Sequence, residues 1–182
     1  MYKKSQMFKV KCQMCSKRSF SLIELLIVIA IIAIMTAVLF AGNQNENKIQ
    51  NEVDAATRQL AVDLRSIQND ALNGKQDIIS GNIACQANLV LVNGNPNYKI
   101  NYTPISGATC TGTPFGERTV NLQNAKISSP NGEVSFSAPS GTVTATSNTI
   151  QVVSTKDSTT NTICVDTNSG NITEKRGSQA CP

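Results

Sequence analysis

Histidine and tryptophan are both absent from this 182-residue chain. Without histidine the commonest general base and the commonest transition-metal ligand are missing together, which argues against hydrolase, nuclease and zinc-site chemistry. Acids are absent from the first 19 positions, although these carry Lys3, Lys4, Lys9, Lys11, Lys17 and Arg18. No charge occurs from Leu25 to Ala41, and no proline from Gly42 until Pro96. Each gap marks a segment with a different physical character.

The formal charge of +4 is local. Without the six leading cations, ten bases face twelve acids, so a chain starting at Phe20 would be slightly acidic. That argues against a nucleic-acid module held by bulk electrostatics. The six cysteines also divide by position, with Cys12 and Cys15 in the basic leader and Cys85, Cys110, Cys164 and Cys181 beyond the apolar run. Four cysteines in an exported domain read as two disulfides formed in an oxidising compartment. Three connectivities are open; sequence proximity favours Cys85 with Cys110 and Cys164 with Cys181. Cys12-Gln-Met-Cys15 has CxxC spacing, but it lacks the second ligand pair of a zinc site and the βαβ context of a redox motif.

The uncharged run approaches the roughly 20 residues that span a bilayer. Its upstream cations place the amino terminus in the cytoplasm and send the remainder outward. A cleavable secretory signal competes, but the run exceeds the usual apolar length and no small-x-small site ends it. Glu24 sits inside the apolar segment, where an unpaired ionisable side chain is costly and so asks for a function. Beyond Gly42 a stripe of Ile49, Val53, Ala56, Leu60, Leu64, Ile67 and Ala71 steps by three and four. The spacing predicts an amphipathic continuation of one long helix from about residue 20 to 73. Asn73-Gly74 is the expected stop.

From Asp77 onward, turn residues alternate with short strand-forming runs. Strands are expected at Ala87 to Val92, Tyr98 to Tyr102, Arg118 to Leu122, Glu133 to Phe136 and Thr149 to Val153. Asn93-Gly94 and Asn131-Gly132 supply turn signals, and Thr162 to Val165 with Asn171 to Thr173 forms a terminal hairpin. The expected fold class is α+β, a long amino-terminal helix whose second half lids an antiparallel sheet. The divisions are a basic leader (1–19), a transmembrane helix (20–42), an amphipathic helix (43–74) and a β-rich domain (75–182).

Arg18-Ser19-Phe20-Ser21-Leu22-Ile23-Glu24-Leu25-Leu26-Ile27-Val28 closely resembles the amino-terminal motif of type IV prepilins and type II secretion pseudopilins. The resemblance implies cleavage by a prepilin peptidase between Ser19 and Phe20, then methylation of the new amine on Phe20. Ser19 stands where the family usually has glycine. By the same resemblance Glu24 becomes the fifth mature residue and pairs with the amine of a neighbouring subunit during assembly. The implied partners are the prepilin peptidase, other pilin or pseudopilin subunits, the membrane and an inner-membrane assembly platform. The implied location is a single-pass cytoplasmic membrane protein with its carboxy-terminal domain exported, and an extracytoplasmic filament after assembly. Leu60 to Ala71, Phe136 to Gly141 and Ser169 to Ile172 are similar to the minor pseudopilin H and fimbrial T group.

Two other functional classes compete with a structural subunit. A filament-tip DNA receptor would want an exposed basic patch, for which Lys175 and Arg176 are the candidates. However, six bases meet six acids from Asp77 to Pro182. A calcium loop could use Asp166-Thr-Asn168-Ser-Gly170, but the rest of a twelve-residue loop and its terminal glutamate are lacking. No Ser/His/Asp set, phosphate-cradling loop or carboxylate pair supports an enzyme, and no cofactor or metal is expected.

Overall fold

The computed structural model describes residues 21–78, 81–106, 109–129 and 131–181. The leader cysteines Cys12 and Cys15 and the expected processing residues Ser19 and Phe20 lie outside these. The chain forms two compact units, Met1–Gly42 and Asn43–Pro182. One helix, α1 (Leu22–Asn73), contributes to both. It ends at the predicted Asn73-Gly74 step, where Gly74 adopts φ 68°, the left-handed conformation that closes a helix without a Cβ penalty.

Nine strands follow: β1 (Ala84–Leu91), β2 (Asn97–Pro104), β3 (Phe115–Asn121), β4 (Ala125–Ile127), β5 (Gly132–Ser137), β6 (Thr142–Ala145), β7 (Thr149–Ser154), β8 (Thr160–Val165) and β9 (Ile172–Arg176). The expected single sheet is two sheets, ordered β3-β2-β1-β5-β6 and β4-β7-β8-β9. Every pairing between these strands is antiparallel. Expected strands all appear with shifted ends, whereas β4 and β6 were not anticipated. They have three and four residues, too few for period-two alternation to stand out.

The amphipathic stripe accounts for the core of the second unit. Val53, Ala56, Leu60, Leu64, Ile67 and Ala71 are all buried. They join Leu89, Ile100, Phe136, Ile150, Val152 and Ile163 in one hydrophobic cluster drawn from the helix and both sheets. Alternation along β7 places Ile150 and Val152 inside it, because successive strand side chains face opposite ways.

Polar pairs fasten the helix to the strands around this cluster. Tyr98 donates its hydroxyl to Asp63 Oδ2 at 2.6 Å, and Tyr102 donates to Asp70 Oδ2. Burial, then the hydrogen bond to Asp63 and its charge, pushes the Tyr98 phenol well above its ordinary value. Tyr102 shifts upward in the same way through burial and Asp70. At the β8–β9 turn, Gln68 Nε2 donates to the Gly170 carbonyl at 3.0 Å. A Cβ at Gly170, which has φ 70°, would fall 2.7 Å from that amide nitrogen, so glycine permits the close approach.

Both expected cysteine pairs are disulfides in the sequential arrangement. Cys85–Cys110 ties the start of β1 to the β2–β3 loop, and Cys164–Cys181 ties β8 to the carboxy-terminal tail.

Candidate functional site

The chemistry expected at the amino-terminal end of α1 rests on two kinds of residue, the apolar run and Glu24. The helix opens at Ser21, whose carbonyl accepts hydrogen bonds from the Glu24 and Leu25 amides at 2.9 and 3.2 Å. Glu24 therefore stands in the first turn, where the partial positive charge of a helix start favours a carboxylate. Ser21-Leu22-Ile23-Glu24 has the Ser-x-x-Glu spacing of a capping box, a signal that marks this helix start and that hydropathy alone misses.

From Ser21 to Val38 every side chain is exposed, on all sides of the helix. Such a surface has no stable home in water and calls for lipid or other helices around it. Thr36, the one polar side chain from Leu25 to Val38, returns its hydroxyl to the Ile32 and Ala33 carbonyls at 2.9 and 3.0 Å. The hydroxyl is thus satisfied within the helix itself. No helix among the described residues is long and apolar enough to cross a membrane. Leu22 to Val38, whose side chains are described, covers about 26 Å at the α-helical rise, against about 30 Å of hydrocarbon.

At the other candidate positions the side chains are engaged within the fold. Arg176 donates to Asp54 Oδ2 at 2.8 Å, and Lys175 donates to the Ala180 carbonyl at 3.2 Å. Both line a small cavity with Asp54, Arg58, Asn161 and Glu174. Arg58, on α1, is the base that reading Lys175-Arg176 as a local pair overlooks; its proximity depends on the fold and has no signal in the carboxy-terminal sequence. Asp166 of the proposed calcium loop is occupied by its own turn: Oδ1 accepts from the Asn168 amide at 2.9 Å, and Oδ2 accepts from the Ser169 hydroxyl. These bonds hold the carboxyl below its ordinary range. Among the described residues no group of three His, Cys, Asp or Glu could hold a metal ion.

Asp54 accepts hydrogen bonds from three side chains, those of Gln50, Asn161 and Arg176. Burial pushes it up, but hydrogen bonds from Asn161 and Gln50 and the Arg176 charge outweigh burial and hold it below the ordinary value. A carboxyl lowered on folding contributes stability that is present above its unfolded value near 4 and lost as pH falls through the folded value. Asp54→Asn is expected to flatten that acid slope. Urea midpoints from about pH 2 to pH 5 check this, and an unchanged slope would refute it.

Residues 14–40 match the family model described as the Prokaryotic N-terminal methylation motif. The match contains Ser19, Phe20, Glu24 and nearly all of the apolar run. No curated protein and no solved structure matches the chain.

Proposed function

We propose that the chain is a type IV pilin-like prepilin, processed by a prepilin peptidase and assembled with other pilin-type subunits into a pilus, secretion pseudopilus or DNA-uptake filament. The methylation-motif match at residues 14–40 carries this reading. Cleavage between Ser19 and Phe20 removes the six leading cations and leaves a new amine at Phe20, near Glu24. The apolar half of α1, with the residues that continue it to Ala41, is held in the cytoplasmic membrane before assembly. During assembly it exchanges lipid contacts for neighbouring helices. The strand-rich unit lies outside, where its disulfides form. The chain makes or breaks no substrate bond in this role, and it is a minor subunit of the pseudopilin H or fimbrial T type.

The exposed apolar surface from Leu22 to Val38 supports the exchange, because two non-aqueous surroundings in succession suit one uniformly greasy helix. The alternative DNA-receptor reading gains no support from Lys175 and Arg176, which donate to partners in the same chain.

Intact mass and amino-terminal sequencing, with and without a co-expressed prepilin peptidase, test the proposal. The expected product begins at Phe20, carries one added methyl group, and appears only with the peptidase. An uncut chain, or one cut beyond the apolar segment, would overturn it.

A further inference from the structure

Asn-Gly steps occur three times in the second unit, at Asn73-Gly74, Asn93-Gly94 and Asn131-Gly132. In such a step the glycine nitrogen can attack the asparagine side chain, because no Cβ on the following residue obstructs the approach. Two conditions govern the reaction in a folded chain. The side-chain amide must be free to turn onto the main chain, and the glycine N–H must be free to give up its proton. The three steps share this chemistry and differ only in how the fold restrains the two groups.

Asn131-Gly132 is restrained at both. Asn131 Oδ1 accepts from the Asn93 amide at 2.7 Å, which pins the side chain to the β1–β2 turn. Glu133 turns its own N–H and C=O toward Thr146, so the neighbouring Gly132 groups face the other way, into the ladder opposite Leu91. Asn93-Gly94 is restrained at the glycine. Gly94 N–H donates to the Ile127 carbonyl at 2.8 Å, and Ile127 N–H returns a bond to the Asn95 carbonyl at 2.9 Å.

Asn73-Gly74 is the least restrained of the three. Asn73 is exposed, and among the described residues its side chain has no hydrogen-bond partner. It stands at the end of α1, where Lys75 N–H reaches back to the Asp70 carbonyl at 3.0 Å and Gly74 N–H to the Ala71 carbonyl at 3.3 Å. These are the two bonds of a Schellman stop, and the second is longer than the usual range of about 2.7–3.2 Å. Gly74, at φ 68°, has already left the helix, so one long bond restrains the attacking nitrogen.

We infer that Asn73 is a deamidation site, the position at which the folded chain modifies itself. The Gly74 nitrogen gives up its proton and bonds to Asn73 Cγ. The side-chain nitrogen leaves as ammonia with that proton, and one water opens the resulting ring to aspartate or isoaspartate. Either product adds a negative charge to the last turn of α1, three residues after Asp70 and at the end of the helix dipole that disfavours anions. Isoaspartate also adds one carbon to the main chain at the helix stop.

The test incubates the oxidised full chain in detergent micelles in mildly alkaline buffer. Each Asn-Gly peptide is followed by mass and by enzymatic methyl labelling of isoaspartate. Asn73 should convert about fivefold to tenfold faster than Asn93 or Asn131, the factor for first breaking a good amide hydrogen bond. In urea, where the fold restrains none of them, all three should convert at similar rates. Asn73→Gln should remove the fastest-forming acidic species on ion exchange and leave the melting temperature unchanged, because the Asn73 side chain is exposed and unbonded. Equal rates in the folded chain, faster conversion at Asn93 or Asn131, or no conversion until the chain unfolds would overturn the inference. So would a matching excess at Asn73 in urea, which would give the selectivity to local sequence and not to the fold.

Discussion

A Glu24→Ala variant is expected to be cleaved ahead of Phe20 like the parent chain, yet to reach the filament at about one hundredth of the parent level or below. In the proposed route, cleavage leaves a charged amine on Phe20, and assembly moves that amine into a setting made of apolar helices. A buried charge that has lost its partner costs about 3–5 kcal/mol, equivalent to a factor of about 10² to 10⁴ in the assembly equilibrium. Glu24 is the only acid between Phe20 and Asn45, so no neighbour within the chain substitutes for it. Immunoblots of sheared filament and membrane fractions measure the partition, and Glu24→Asp, which keeps the charge, should recover part of it. Near-parental incorporation of Glu24→Ala would remove the amine–carboxylate pair from the assembly mechanism.

Phe136→Ala is expected to destabilise the second unit by about 3–5 kcal/mol, the range for truncating a fully buried aromatic side chain. Phe136 is 0% exposed and lies opposite Ala87 on β1 and Val143 on β6. Both neighbours are small, so neither can swing into the space the ring vacates, and the cavity persists. For a unit of this size the loss corresponds to a melting point lower by about 10 °C or more. Thermal unfolding of the full chain in micelles, followed by near-ultraviolet circular dichroism of its tyrosines, gives the value. A shift under about 3 °C would mean that the strands around Phe136 collapse onto the vacancy.

Legibility in the sequence follows physical range. The helix was readable because its stripe repeats over several turns and its stop is a local Asn-Gly step. The longer strands were readable because alternation and turn residues are also local. The division into two sheets was not readable. It depends on β5 pairing with β1 across about forty residues while β4 joins β7, and no neighbouring residue records that choice. The cysteine pairs were accessible because both close short stretches, 25 and 17 residues apart. The motif around Glu24 was legible as a pattern, whereas the role of Ser21 as the start of the described helix required the backbone bonds to Glu24 and Leu25. The small cavity around Asp54 had no sequence signature, because Arg58, Asn161 and Lys175 meet there only after the helix and the last two strands come together.

Both disulfides lie inside the strand-rich part of the second unit: one joins β1 to the β2–β3 loop, the other joins β8 to the tail. Neither reaches α1, which is fastened to the strands by packed side chains and by contacts such as Tyr98 with Asp63 and Arg176 with Asp54. Tension applied through the helix therefore enters the strands as shear across non-covalent contacts, and no sulfur–sulfur bond lies between the helix and the strands to resist it. In a pulling experiment the rupture force for peeling the helix away should be the same in oxidised and reduced protein, while the length of chain released afterwards should be shorter with the disulfides intact.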